Sequence, residues 1–337
     1  MTEQDITIEE IDYKHFSVSG SKKWVRLLKF YLLPTWRDPG FSAFENEIEK
    51  IKSKRRVFRR FLTPLTIIGF SMILFIVILA VYGPWLTDIP LQYLRNPYIS
   101  PTVLPFEPPS PEHPLGTTLN GFDVYARLIW GARTTIGMAF VPVIIMMGGG
   151  LILGTISAYF GGVVDYLLMR FVDLMTSFPG LIIIIVLVPM LGRDLLTTLI
   201  IYGILGIPGN IRFMRSLVLQ VKQMTYVRAA KTGGALKFKV MFKHIVPNSL
   251  SPMIITFFGG AAGTVLGLAG LAFLGLGDPS VATWGVDITW GRERLLTAIW
   301  AVVWPGVFIG ITAVGFMLMG DGIRDALDPR LHKSKMR

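Results

Sequence analysis

The side chains that most often carry catalysis or bind metals are sparse in this sequence and lie far apart. It contains no cysteine, and its four histidines are scattered along the chain at His15, His113, His244 and His332. It contains no Gly-rich phosphate loop of the G-x-x-x-x-G-K-[ST] type, no H-E-x-x-H helix and no G-x-S-x-G turn. This pattern does not favour covalent chemistry, so we expect no catalytic residue and no metal ligand.

A loop at residues 226–248 carries the most informative polar pattern. It starts with good helix formers, is interrupted at Gly233 and Gly234, and then continues as a second helix-forming stretch up to Pro247. We expect two short helices, the second ending at Pro247 because proline lacks the amide hydrogen that a helix interior needs. The loop therefore predicts a compact helical knob.

The surface of this knob is suited to contact with another protein. Ala229 and Ala230 are small enough for a partner surface to approach closely, and four lysines could draw the knob toward an acidic groove: Lys231, Lys237, Lys239 and Lys243. The alternative interpretation is an ordinary basic loop without a partner.

Long apolar stretches surround this loop. Of the 337 residues, 52% are hydrophobic and only 16% are charged, and the mean hydropathy is +0.56. Stretches of about 20 apolar residues can cross a hydrocarbon core as helices. The sequence therefore predicts an all-α, polytopic membrane protein with six transmembrane helices, at Leu62–Leu86, Thr135–Ala158, Leu167–Leu191, Leu195–Met214, Leu250–Gly275 and Leu295–Met319.

The positions of the basic residues predict the orientation of these helices. The net charge is +11, and 25 of the 33 Lys and Arg residues fall in 1–61, 215–247 and 320–337. Because Lys and Arg collect on the cytosolic side of membrane proteins, both termini and the knob are expected in the cytosol. This distribution indicates that the positive charge belongs to a protein in a lipid bilayer. It does not indicate binding to nucleic acid. The first 20 residues are polar and do not resemble a cleavable signal.

These expectations divide the chain into segments. Residues 1–61 form a cytosolic, basic N-terminal segment that could attach to the lipid surface, although a solvated positive flank is the alternative. We expect an ordered, irregular outer loop rich in proline that could meet a soluble partner. The remaining segments are the first membrane helix (62–86), the outer loop (87–134), a five-helix core (135–319) with a coupling loop (215–248), and a cytosolic tail (320–337).

Three smaller features carry weaker expectations. Arg170 and Asp173 have helical i, i+3 spacing, which favours a structural salt bridge between them over a transport role. Gly263 and Gly267 form a small-residue pattern typical of close helix packing, and the alternative is a surface that slides during gating. His113 stands alone in the outer loop, so no ligand role is expected for it.

The knob resembles the coupling loop of ATP-binding-cassette importer permeases. That family has the pattern Glu-Ala-Ala, three residues, Gly, nine residues, Ile, any residue, Leu-Pro. Arg228, His244 and Val246 depart from it, and the histidine is typical of the peptide and nickel branch. The residues in register are Ala229, Ala230, Gly234 and Pro247.

Further matches follow along the chain in the order of that branch, over about residues 60–331. The sequence is most similar to the second permease of dipeptide, oligopeptide and nickel systems, the type with a long outer loop after the first helix. The matching stretches are 109–117, 121–133, 177–179, 273–277, 284–285 and 320–331.

The resemblance implies partners that complete the pore, hydrolyse ATP and deliver the solute. It implies a second homologous permease, two cytosolic ATPase subunits and an extracytoplasmic solute-binding protein, all at the inner, cytoplasmic membrane. ATP and Mg would be bound by the ATPase subunits, so this chain is expected to be no enzyme and to hold no cofactor. The residues implied in coupling to the ATPase are Arg228, Ala229, Ala230, Lys231, Gly234, His244 and Pro247.

The cargo stays open at this stage. Di- and oligopeptides are the expected solutes, and nickel complexes and oligosaccharides are alternatives within the same family. A different class, an ion-gradient secondary transporter, should show inverted repeats and carboxylates at the midplane of the bilayer. The sequence shows neither feature.

Overall fold

The computed structural model describes residues 63–91 and 104–327. Within them the chain forms ten α-helices: α1 (Pro64–Leu86), α2 (Val124–Phe160), α3 (Gly162–Ser177), α4 (Gly180–Leu191), α5 (Leu195–Lys222), α6 (Thr225–Thr232), α7 (Lys237–Val240), α8 (Val246–Leu271), α9 (Trp284–Gly291) and α10 (Trp300–Leu327). The proposed N-terminal lipid-binding segment, His15, His332 and residues 328–331 lie outside the described ranges.

The helix lengths agree with a polytopic membrane protein. Among the described residues, five helical segments are long and apolar enough to cross a bilayer, and the bent pair α3–α4 makes a sixth if it is counted as one span. α1, α2, α8 and α10 pack around one apolar core that includes Ile76, Val143 and Phe316. The all-α fold class is therefore confirmed.

The second span begins eleven residues before the predicted start at Thr135. Asp123 caps α2, with its carboxylate accepting a hydrogen bond of 2.7 Å from the amide of Ala126. The residues that follow include Arg127. Its charge lowers the local hydropathy, so the hydropathy pattern did not reveal that these residues are helical. Residues 124–134, predicted as part of the outer loop, instead form the first turns of α2.

The third span is broken where one continuous helix was expected. α3 and α4 meet at an angle of 80°, and Phe178 and Pro179 between them are extended. The proline ring disfavours the helical conformation for the residue before it, so the chain must leave the helix at Phe178. The Ser177-Phe178-Pro179 stretch is thus a break in the span.

Glycines allow the longest helix contact of the fold, between α2 and α5. A Cβ atom built on Gly150 would lie 2.5 Å from the Cβ of Asn210, and one on Gly203 would lie 2.9 Å from the Cβ of Ile145. Contacts this close exclude any side chain at these positions. Small residues bring the two backbones together, as is common between membrane helices, where apolar burial gives no driving force.

We expect Gly150→Ala to destabilise this contact. The added methyl group would clash with Asn210 and cost about 1–3 kcal/mol as overpacking. Thermal unfolding of the purified chain in detergent measures the loss. Gly148→Ala is the matched control, because a Cβ there meets open space; equal melting temperatures for the two variants would contradict the packing argument.

Pro247 does not end the second short helix, contrary to the prediction. The amide of Val246 bonds to the carbonyl of Met241, which makes a π turn over Met241–Ile245, and Pro247 lies in the first turn of α8. The proline has no amide hydrogen to continue the helical ladder of hydrogen bonds, and the π turn before it is the local departure from α-helical bonding at which the proline is accommodated. The knob therefore continues directly into a membrane helix.

Of the Gly263 and Gly267 pair, Gly267 has the expected packing role, and a sliding role during gating stays a prediction. Gly267 lies against the side chain of Tyr202 on α5, with no room for a Cβ, so it is a packing residue. Gly263 has nothing near its missing side chain within this chain. It lines a cavity of about 450 Å³ between α2, α4, α5 and α8, together with Tyr202, Asn210 and Thr264.

Candidate functional site

The turn between α6 and α7 depends on a left-handed residue. Gly234 has φ +78°, its amide bonds to the carbonyl of Lys231, and the amide of Ala235 bonds to the carbonyl of Ala230. These two bonds are the Schellman pattern that ends helices at a glycine. The prediction that Gly234 makes the turn between two short helices is borne out in its backbone geometry.

Buried apolar side chains fix the knob to the bundle. Val227 of α6, Val240 of α7 and Ile245 of the π turn are fully buried, in a cluster with Met214 and Val218 of α5. These side chains leave the knob little freedom to move independently of α5. A push on the knob would therefore move a membrane helix.

Hydrogen bonds join the end of α2 both to the knob and to Lys222, the last residue of α5. The hydroxyl of Tyr159 donates to the carbonyl of Lys237 at 2.8 Å, and the ammonium of Lys222 donates to the carbonyls of Ala158 and Tyr159 at 2.9 Å each. Because α2 spans about 55 Å at 1.5 Å per residue, it connects the knob with the opposite end of the bundle.

The predicted coupling residues lie on two parts of this knob. Arg228 and Ala229 are exposed on α6, whereas Ala230 is half-buried toward the apolar cluster. Lys231 is exposed, and its ammonium lies 5.8 Å from the ring centre of Tyr159. It therefore sits beside the end of α2.

His244 and Pro247 lie on the second arm of the knob. His244 is half-buried in the π turn, and its carbonyl accepts a hydrogen bond of 2.7 Å from the side chain of Asn248. Pro247 is exposed at the start of α8. The structure places the predicted residues on one continuous helical unit, and their role in coupling stays a prediction.

Sequence reasoning missed the apolar part of the knob surface. Leu236 is 76% exposed and Phe242 is 63% exposed, and Tyr226 and Phe238 are also exposed. Large apolar side chains on a surface that is otherwise basic indicate a region that contacts another protein or the membrane. The sequence carries a signal for this apolar surface, because apolar residues alternate with the four lysines. The interpretation of the sequence considered only the charge of the lysines.

A buried ion pair at the other end of α2 was also missed. Arg127 and Asp287 are 1% and 2% exposed and form a salt bridge that joins α2 to α9. The guanidinium lies 4.8 Å from the ring centre of Trp290, and the indole of Trp284 donates to the carbonyl of Leu128 at 3.0 Å. We call these five residues the outer clamp.

The outer loop is attached close to this clamp. His113 and Asp123 form a hydrogen bond of 2.9 Å, which joins the histidine to the N-cap residue of α2. The indole of Trp300 at the start of α10 donates to the carbonyl of Thr117 at 3.3 Å. Residues 104–123 are thus an ordered irregular cap held between α2 and α10.

The expected salt bridge between Arg170 and Asp173 is wrong. Asp173 instead accepts a hydrogen bond of 2.7 Å from Arg212 of α5, and the guanidinium of Arg170 lies 5.1 Å from the ring centre of Tyr166. Both partners of the Asp173–Arg212 pair are about half exposed. Spacing along one helix did not reveal a partner on another helix.

A bundle of helices long and apolar enough to span a membrane, with a helical knob at one end, defines a class, the multi-pass integral membrane proteins. Comparison with known proteins identifies the family within this class. Residues 150–333 match the family of binding-protein-dependent transport system inner membrane components.

Three relatives cover most of the chain. A dipeptide transport system permease protein of Alkalihalophilus pseudofirmus is 33% identical over 297 residues, which are 87% of this chain and 95% of that protein. An oligopeptide transport system permease protein of Bacillus subtilis is 35% identical, over 80% of this chain and 87% of that protein. A probable D,D-dipeptide transport system permease protein of Escherichia coli is 36% identical, over 80% and 88%.

The chain belongs to this family of inner membrane components, which are permeases of ATP-binding-cassette importers. The resemblance carried by the coupling loop is thereby confirmed, and so is the prediction of a multi-pass permease.

Proposed function

We propose that this chain forms half of a translocation pore for di- or oligopeptides and transmits work from separate ATPase subunits through its knob. The observation that carries the proposal is the attachment of the knob to three membrane helices, by buried apolar side chains against α5 and α8 and by the hydrogen bond from Tyr159 of α2 to Lys237. The names of the relatives, which transport dipeptides and oligopeptides, support the cargo.

The proposed cycle uses this connection. A pair of cytosolic ATPases, which bind ATP and Mg, would close and push the exposed surface of α6 and α7. Because Val227 and Val240 are buried against the ends of the membrane helices, the push would tilt those helices and open the pore toward the outside. Coupling between sites is reciprocal, so cargo delivered by an outer solute-binding protein should raise the rate of ATP hydrolysis.

The proposed assembly has four core subunits, with a second homologous permease beside this one. Many apolar side chains of α3 and α4 are exposed within this chain, including Leu167, Phe171, Ile182 and Met190. These side chains would contact lipid or the second permease. The cavity lined by Gly263 and Tyr202 would face the shared passage.

The orientation is tested by labelling. We expect a cysteine introduced at Lys231 to react with a membrane-impermeant reagent only from the cytosolic side, and to be protected when the ATPase subunits bind. The chain has no natural cysteine, so the background is low. Labelling from the outer side alone would refute the proposed topology.

Arg228 provides a test of docking, because an acidic residue is usual at this position in the family. We expect Arg228→Glu to weaken assembly with the ATPase, since an acidic or carbonyl acceptor in its groove would then face a like charge or lose its donor. Cargo-stimulated ATP hydrolysis of the reconstituted four-subunit core, compared at low and high salt, measures the effect. Equal rates for both forms at both salt concentrations would exclude an electrostatic role.

A further inference from the structure

A basic pocket lies between the knob and the end of α2. It has a volume of about 480 Å³ and is lined by Lys222 of α5, Lys231 of α6, Lys237 of α7 and the aromatic residues Tyr159 and Phe160. The three lysines come from three different helices. Only the tertiary fold brings their charges to one place.

Two of the ammonium groups lie near the same aromatic ring. The ammonium groups of Lys222 and Lys231 each lie 5.8 Å from the ring centre of Tyr159. Lys222 uses two hydrogen bonds on the carbonyls of Ala158 and Tyr159, and an ammonium group has three donors. Two ammonium groups around one ring, in a pocket that a third lysine also lines, give a positive potential that favours an anionic ligand.

Neighbouring carboxylates do not supply that anion. Asp165 lies nearby, but Arg215 binds both of its oxygens at 2.6 Å, and Ser157 donates to it at 2.5 Å. Within the described residues, no carboxylate lies within salt-bridge distance of Lys222, Lys231 or Lys237. Asp165 attracts Lys222 from beyond salt-bridge distance, but none of the three ammonium groups is ion-paired with a described carboxylate, so an anionic ligand can contact them.

The rim of the pocket is apolar and lies at the end of the membrane helices. Phe160 is 44% exposed, and its ring centre lies 6.0 Å from that of Phe238, which is also exposed. Tyr159, which also lines the pocket at this helix end, is of a residue type enriched at the membrane–water interface. A ligand that matches this pocket has a phosphate group for the lysines and an apolar tail for the phenylalanines.

We propose that this pocket binds the headgroup of an anionic phospholipid, with its phosphate among the three ammonium groups and its acyl chains along Phe160 and Phe238. Basic pockets between membrane helices are recognised sites for such headgroups. The bound lipid would hold α6 and α7 against the end of α2.

The test measures lipid binding by the full-length permease without any ATPase. The chain is reconstituted in vesicles of phosphatidylcholine mixed with phosphatidylglycerol, extracted in mild detergent, and analysed by native mass spectrometry. We expect phosphatidylglycerol to be retained in preference to phosphatidylcholine. In the double variant Lys231→Gln with Lys237→Gln, the preference for phosphatidylglycerol over phosphatidylcholine should fall about thirtyfold. This fall corresponds to about 2 kcal/mol, at about 1 kcal/mol for each cation removed.

The matched control is the double variant Lys239→Gln with Lys243→Gln. It removes the same charge from the same knob, but neither lysine lines the pocket, so lipid preference should stay near that of the wild type. Equal losses in the two double variants would overturn the proposal, since general surface charge would then explain binding. Displacement of phosphatidylglycerol by inorganic phosphate alone would overturn the assignment to a lipid. Size-exclusion profiles identify any variant that has lost its fold.

Discussion

Replacing Asp287 by leucine is expected to destabilise the permease by about 3–5 kcal/mol, the typical cost of removing one partner of a buried ion pair. Arg127 and Asp287 are almost completely buried, so Arg127 would keep its charge in a site of low polarity without this carboxylate. Thermal unfolding of the purified chain in detergent, followed by intrinsic tryptophan fluorescence, measures the effect. Trp284 and Trp290 of the outer clamp report on the site directly.

Two further variants make this expectation specific. The double variant Arg127→Met with Asp287→Leu should recover most of the stability, because apolar residues of similar volume can replace a buried pair at little cost. Asp173→Leu removes a carboxylate from the half-exposed pair with Arg212 and should cost less than about 1 kcal/mol. A melting temperature for Asp287→Leu equal to that of the wild type would refute the role of the clamp.

A second large effect is expected at Gly234. Its φ of +78° costs a residue with a Cβ atom about 1–2 kcal/mol, and the Schellman turn that positions α7 would be distorted. We expect Gly234→Leu to reduce cargo uptake and cargo-stimulated ATP hydrolysis by about tenfold, a change that corresponds to about 1.4 kcal/mol. The level of the protein in the membrane should be unchanged, because a Cβ at this position meets open space.

The controls for Gly234 separate backbone strain from side-chain bulk. Gly234→Asn should retain most activity, because asparagine tolerates the left-handed conformation better than other residues with a side chain. Gly233→Ala should also be mild, because Gly233 has φ −73°, an ordinary value for alanine. If Gly234→Leu transports normally at a normal protein level, the turn is not needed for coupling.

The outer clamp and the knob occupy the two ends of α2, and this arrangement gives the two predictions a common basis. The start of α2 is fixed to the outer cap by the hydrogen bond between Asp123 and His113, and to α9 by the salt bridge between Arg127 and Asp287. Tyr159 fixes its end to the knob. A movement of the knob that shifts α2 would therefore strain the contacts of the outer clamp. ATP hydrolysis by the Asp287 variants, measured with and without cargo, tests this connection.

The membrane class, the helices of most spans and the helix–turn–helix form of the loop could be predicted from the sequence, because each depends on local composition or on residues close together in the chain. Apolar stretches long enough to span a bilayer specify helices whatever their neighbours are. Gly234 predicts a turn because its conformational freedom is a property of the residue itself.

What only the tertiary structure decided depends on contacts between residues far apart in the sequence. The pairing of Arg127 with Asp287 joins positions 160 residues apart, and the pairing of Asp173 with Arg212 crosses from α3 to α5. Neither spacing pattern nor charge count identifies such partners. The break at Pro179 and the continuation of the helix past Pro247 show a related limit: a proline marks a disturbance in a helix, whereas the surrounding backbone decides whether the helix bends, stops or begins there.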